Sequence, residues 1–409
     1  MSGPFPTRLA PLANGRFQLL FLATFGSGIG NWLAVIALQV DVYDRTHSGW
    51  WVGALLIASI LPAIFLGLLA GPLVDRLSRK GLMIGSDLGR LVVFAALPFV
   101  GSAWGIVLLA VVAGIGNAFF RPAVLAGLPN LVEEAELASA NTLLQLVDWA
   151  TTAAGPLAGG AIVAASGPHL AYWINAATFA LSAALVVPIP GRLLQSEQHI
   201  GRGHWRDLHE GFVLVRHSRA LMSCLVAWSI VMLANAHVNV AEIFLAKETF
   251  HSGDFGFGLL WAGTGVGMIP GGLTASHLID TRGIHRVYTG ILAVFAAGVL
   301  LAGVSPDVWV AALGMVVSGF GNGAAIVANI TLVQRGAPDR LRGRAFTLLM
   351  SATYTVLGIA FVIAGPVTNA VGARWVYAGA ATTIAVAAAV AWRLTAGVER
   401  EQPLVAEAA

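Results

Sequence analysis

The run Gly71-Pro72-Leu73-Val74-Asp75-Arg76-Leu77-Ser78-Arg79-Lys80 lies between two long apolar segments. Trp51 to Ala70 carries no charge. Apolar sequence resumes at Gly81 and continues to Val100, broken only by Asp87 and Arg90. Two segments of helix length joined by a short, Gly-started, mostly basic turn read as a transmembrane hairpin with its turn in the cytoplasm. A bilayer core takes about 20 apolar residues per helix, and Lys and Arg collect on the cytoplasmic side.

The composition agrees. Of 409 residues, 57% are hydrophobic and 11% charged, whereas a soluble domain carries about 25% charged residues. The chain reads as a polytopic membrane protein with little left over for a soluble domain. Its net charge of +3 does not point to nucleic acid, because the basic residues are spread over membrane-flanking loops and form no single patch. Cys224 is the only cysteine, which excludes an intramolecular disulfide and a cysteine-based metal centre. The first apolar run starts near Phe17 and is as long as a spanning helix, so no cleavable leader is expected.

Apolar runs separated by polar or Gly/Pro breaks predict twelve spans: 17–42, 51–70, 81–100, 104–127, 138–164, 169–188, 219–246, 256–278, 285–304, 307–334, 343–370 and 373–394. With the N-terminus inside, the outer loops hold only Arg45, Lys247 and Arg374. Arg90 and Arg121 fall within spans, and the remaining Lys and Arg are all on the inner side. That asymmetry places both termini in the cytoplasm.

The two halves repeat at a constant offset of 205 residues. Gly53 maps to Gly258, Gly67 to Gly272 and Asp75 to Asp280. Gly114, Gly116 and Asn117 map to Gly319, Gly321 and Asn322, Gly167 to Gly372 and Tyr172 to Tyr377. Parallel repeats of six helices predict two pseudo-symmetric bundles, at 1–188 and 219–396. A cytoplasmic linker at 189–218 joins them, and a cytoplasmic tail at 397–409 follows. Within the linker, Trp205, Leu208, Phe212 and Val215 recur at helical spacing, which predicts an amphipathic surface helix.

The pattern G-x-x-x-D-R-x-x-R-K, in this hydropathic setting, resembles the signature loop between helices 2 and 3 of the major facilitator superfamily of secondary transporters. The resemblance covers nearly the whole chain. It implies an all-α membrane protein of twelve transmembrane helices in two six-helix bundles, working by alternating access. It also implies a cytoplasmic latch of Gly71, Asp75, Arg76, Arg79 and Lys80, in a charge network with Asp87, Arg90 and Arg121. Contact of those charges with lipid headgroups is the competing reading. In the second half the signature is degraded: Ser276 stands at the Gly position and Thr281 at the Arg. Gly155, Pro156, Gly159 and Gly160 match the core of a motif associated with antiporters, although Thr151 stands where a further Gly is expected. Plain helix packing explains the same small residues equally well. The stretches 42–48 and 244–267 resemble the macrolide-efflux and siderophore-exporter branch.

A charge within the bilayer costs roughly 2.5–3.5 kcal/mol on insertion scales, so each needs a reason. Asp148 lies near mid-membrane on span 5, and Gln145, Asp148 and Thr152 share one face. Asp148 is therefore the first candidate for binding a proton or a cationic group, with a structural hydrogen bond as the rival explanation. Asn235, Asn239 and Glu242 share a face of span 7 and are further candidates for proton or substrate binding, Glu242 second after Asp148; Glu242 lies toward the outer end, where water is expected to reach it, and a solvated helix end is the rival explanation. Asn31, Asn117, Asn322 and Asn329 either line a path or join helix to helix.

Nothing supports catalysis. Of ten His, only His237 lies clearly inside a span, no acid–base pair recurs at metal-ligand spacing, and no phosphate loop is present. No cofactor or metal is expected. The sequence therefore predicts a monomeric, multi-pass cell-membrane exporter coupled to protons, whose partners are a small amphipathic or apolar substrate and the lipid bilayer. A lipid or lysophospholipid translocator of the same fold is the alternative. A membrane sensor or membrane-embedded enzyme is less well supported, lacking an added soluble domain or a clustered catalytic set.

Overall fold

A computed structural model describes residues 7–195 and 212–396; for 7–8, 66–76 and 339–340 it describes the backbone only. The described residues form twelve long helices and no strand. In the first half these are α1 (Gly15–Thr46), α2 (Gly49–Arg76), α3 (Arg79–Ala96), α4 (Ala103–Gly127), α5 (Leu137–Ser166) and α6 (Pro168–Val186). The second half holds α7 (Arg219–Phe244), α8 (Gly253–Arg282), α9 (Ile284–Val304), α10 (Val308–Gly336), α11 (Asp339–Val371) and α12 (Ala373–Thr395). Each predicted span falls on one of them. Nine are long and apolar enough to cross a membrane on that measure alone. Of the others, α2 has a shorter apolar helix, Gly49–Phe65, α5 carries Gln145 and Asp148, and α8 is rich in Gly.

Side-chain caps set several helix starts. The hydroxyls of Ser78, Ser102 and Ser218 accept from the backbone N–H of Gly81, Gly105 and Leu221, and Asp307 accepts from those of Trp309 and Val310 at 2.9 and 3.0 Å. Such oxygens satisfy donors that the first helical turn leaves open. Gly167 and Gly372, related by the repeat, join α5 to α6 and α11 to α12 with φ of 76° and 81°, a conformation that favours glycine.

Two expectations change. The signature run is not a turn over 71–80. Helix α2 continues through Arg76, and the chain breaks only at Leu77 and Ser78, where the Ser78 cap starts α3. In the linker, Trp205 and Leu208 lie outside the described residues. The described part is helical at 212–217, with Phe212 exposed and Val215 buried.

Contacts divide the chain into two compact units, 1–47 with 54–201, and 48–53 with 202–409. In the first unit α1 packs on α5 and α6, and α3 on α4 and α6; in the second, α7 packs on α11 and α12, and α9 on α10 and α12. The same pairings thus recur. Residues 48–53 group with the second unit, where the Gly49 N–H donates to Asn369 Oδ1 at 2.9 Å.

Small residues set the closest approaches, as they do where helices meet in lipid. A Cβ on Gly114 of α4 would stand 2.7 Å from the Ser59 carbonyl oxygen of α2. Its repeat mate Gly319 on α10 faces the carbonyl oxygen of Thr264 on α8, again 205 residues from Ser59, more tightly still. Gly319→Ala should therefore destabilise the protein by about 1–3 kcal/mol, seen as a lower thermal midpoint in detergent. Gly290→Ala, with nothing within 4 Å of the added Cβ, should leave the midpoint unchanged. Equal midpoints for the two variants would contradict the close α8–α10 packing.

Candidate functional site

Within the first unit, ion pairs join Asp41 to Arg45, Asp87 to Arg90 and Arg121 to Asp148. Deepest is Asp87 with Arg90, one turn apart on α3 and essentially inaccessible, at 0% and 1% exposure. The Arg90 guanidinium donates to Asp87 Oδ1 at 2.5 Å, to Asn117 Oδ1 on α4 at 2.6 Å and to the Ser86 carbonyl at 3.3 Å. The other Asp87 oxygen accepts from the Ser182 hydroxyl of α6 at 2.7 Å. The rings of Phe120 and Phe179 lie over Arg90, 4.7 and 4.2 Å from Cζ. Charge, hydrogen-bond donors and both carboxylate oxygens are thus satisfied at once, which burial demands. Asn117 proves to be part of this buried network.

Arg121 lies one turn beyond Asn117 but faces α5. Its guanidinium grips Asp148 with two parallel bonds, Nη1 to Oδ1 at 2.9 Å and Nη2 to Oδ2. Arg121 thus pairs with Asp148 and not with Asp87 or Arg90, with which it was expected to form a network. The fork geometry of arginine suits a carboxylate in this way. The pair stays about a third open, at 37% and 36%. Gln145 is exposed on the same helix, and the Thr152 hydroxyl donates to the Asp148 carbonyl at 2.7 Å.

Arg79 and Lys80 bind backbone ends. Arg79 Nη1 donates to the carbonyls of Ala126 and Leu194 at 2.8 and 3.0 Å, and Lys80 Nζ to that of Val187 at 2.6 Å. Ala126 and Val187 stand at the C-terminal ends of α4 and α6, where open carbonyls and the helix dipole favour cations. The side chains of Gly71, Asp75 and Arg76 lie outside the described residues.

The glycines of the antiporter-like motif seat α5 against α1. A Cβ on Gly155 would stand 2.5 Å from Trp32 Cβ, and one on Gly159 3.2 Å from Ile36 Cβ; Pro156 and Gly160 are buried beside them. In the second unit, Asn329 Oδ1 accepts from the Tyr288 hydroxyl at 2.8 Å, and Asn235, Asn239 and Asn322 are half-buried, as is Asn31 of α1 in the first unit. Glu242 is 1% exposed. Its expected access to water is corrected: α7 is closed over by α11 and α12.

Sequence reasoning missed one cluster. The Tyr172 hydroxyl of α6 donates to Asp41 Oδ2 of α1 at 2.9 Å, and Arg45 donates to both Asp41 oxygens at 2.6 and 3.2 Å. The i, i+4 spacing of Asp41 and Arg45 and the repeated tyrosine were the available signals. Among the described residues, no group of His, Cys, Asp and Glu has the arrangement of a metal site.

The comparisons with known proteins extend over this whole architecture. A family model described as transmembrane secretion effector matches residues 6–407. The MFS-type transporter YfiS of Bacillus subtilis (strain 168) is 28% identical over 364 residues, 85% of either chain. The multidrug efflux pump Tap of Mycolicibacterium fortuitum is 25% identical over 375 residues, 88% of this chain and 90% of Tap. Among solved structures, a bacterial homologue of the human lysosomal transporter Spinster aligns with a TM-score of 0.75 at 14% identity. The alignment spans 99% of this chain and 100% of that one, and likeness at that identity speaks for the fold alone. Matched by its family model over nearly its full length, and with twelve long helices in two repeated sets among its described residues, the chain belongs to the transmembrane secretion effector family of the major facilitator superfamily and is a multi-pass membrane transporter.

Proposed function

We propose that the protein is a proton-coupled exporter of small amphipathic or apolar molecules that works by alternating access, as a monomer in the cell membrane. The observation that carries this reading is the Arg121–Asp148 pair: two opposite charges on α4 and α5, gripped bidentately yet about a third open. Charges at membrane depth belong on a water-filled path and not against lipid. The likeness to Tap, an efflux pump by name, supports export of drug-like solutes.

The chemistry follows from the pair. A proton added to an Asp148 oxygen cancels the charge that holds Arg121, and the guanidinium is freed to move or to meet a solute. Loss of the proton restores the grip. One carboxylate thus exchanges a proton for an altered local geometry, which a transporter needs in order to link two fluxes. The signature residues Gly71, Asp75, Arg76, Arg79 and Lys80 serve as the cytoplasmic latch in this reading. Arg79 and Lys80 contribute by fixing the ends of α4 and α6.

Asp148→Asn imitates the protonated acid. In vesicles loaded with ethidium as the amphipathic probe, wild type should accumulate or expel dye in response to an imposed pH gradient. Asp148→Asn should move dye only downhill and ignore the gradient. A variant that still responds fully would show that Asp148 is structural and sink the coupling role.

The orientation is open to a separate check. The basic asymmetry of the loops puts the α4–α5 connection inside and the α3–α4 connection outside. In a Cys224→Ala background, Ser102→Cys should react with an impermeant maleimide in intact cells, and Glu134→Cys only after permeabilisation. The reverse pattern would overturn the topology.

A further inference from the structure

The 205-residue repeat places Tyr377 of α12 where the first unit has Tyr172. In the first unit that tyrosine meets an acid neutralised by a cation, Asp41 with Arg45. In the second, the equivalents of Asp41 and Arg45 are Ala246 and Phe250. The acid has moved one helical turn inward: Glu242 stands at the place of Ala37, whose carbonyl lies 3.4 Å from the Tyr172 hydroxyl. The cation has not moved with it.

Glu242 is enclosed, and its Oε1 has no hydrogen-bond partner; the same holds for the hydroxyl of Tyr377, which is fully buried. Several other charged groups on neighbouring elements are engaged elsewhere. Lys247 pairs with Asp254 of α8 at 2.6 Å. Arg374 of α12 donates to the Gly303 carbonyl at 3.0 Å and lies over the Phe250 ring. Tyr354 of α11 is partly exposed and Tyr288 of α9 bonds Asn329. Arg335, Arg342, Arg344, Asp280, Arg282 and Arg393 sit at the opposite ends of their helices. An ionised carboxylate with no cation is not sustained in such a place; the group takes up a proton.

We infer that Glu242 is a second proton-binding site, carrying a proton on its carboxyl group in this conformation. The inference rests on the proton-coupled reading above and adds a site in the other half of the repeat. The proton comes from water and returns to it when the outer part of α7 opens. A place for that opening is built in. The residues directly after α7, Leu245–Thr249, form a π-helical turn, whereas the matching stretch of α1 is regular α-helix. Single π turns accompany functional sites and rearrange readily.

Infrared spectroscopy of the full chain in lipid vesicles tests this without any substrate. At about pH 8, well above the ordinary glutamic acid pKa of about 4.3, exposed carboxyl groups are ionised and a neutral carboxylic acid shows its own carbonyl stretch. Wild type should show that band, and Glu242→Gln should lose it. Absence of the band in wild type, or its survival unchanged in Glu242→Gln, would overturn the site. Because nothing is transported in this measurement, its outcome is separate from that of ethidium export.

Discussion

A lone charge is not tolerated inside an apolar bundle, and that constraint organises this protein. Moving an ion out of water costs several kcal/mol even after relaxation, and a partner with full hydrogen bonding is needed to offset it. Asp87 and Arg90 meet the requirement on α3, with Asn117 and Ser182 taking up the remaining bonding capacity and two aromatic faces enclosing the guanidinium. Asp41 and Arg45 meet it near the end of α1. Arg121 and Asp148 meet it between α4 and α5. Arg79 and Lys80 take helix C-termini in place of carboxylates. These contacts join α1 to α6, α3 to α4 and α6, and α4 to α5.

The repeat shows what the charges add. Backbone packing is shared between the units: Gly114 against Ser59 matches Gly319 against Thr264, and Gly116 beside Arg90 matches Gly321 beside Phe295. Charge is not shared. The positions equivalent to Asp87, Arg90, Arg121 and Asp148 are Leu292, Phe295, Ile326 and Thr353. The same helix pairings therefore form in the second unit without those four charges, through apolar contacts and hydrogen bonds such as Tyr288 to Asn329. The ion pairs of the first unit are not needed to build a bundle, and Glu242 stands out as a buried acid with no ion pair among the described residues. In the proposed reading, Asp148 and Glu242 are two chemically distinct places at which a proton acts.

Much of the fold was legible because the bilayer dictates it. Each span must supply about 20 apolar residues, and those runs are visible without any tertiary knowledge. The helices exceed the predicted spans at several ends, as at Arg76 of α2 and Arg282 of α8, because a helix does not stop where lipid stops. It stops where a cap such as Ser78 or a positive-φ glycine ends it. The site was less legible. Asn117 and Arg121 are one turn apart and by spacing share a face, yet one meets α3 and the other α5, which helix spacing alone does not decide. The burial of Glu242 depends on α11 and α12, far away in sequence. The Asp41–Tyr172 contact needed both the repeat and the α1–α6 packing to become visible.

The most direct test of the pairing constraint imitates the second unit within the first. Asp87→Leu and Arg90→Phe install the residues found at Leu292 and Phe295. Thermal unfolding of the two single variants and the double variant in detergent completes a cycle. If charge is admitted only as a pair, each single variant strands its partner and loses about 3–5 kcal/mol, whereas the double variant recovers most of that loss. A double variant destabilised by the sum of the two single effects would contradict the account.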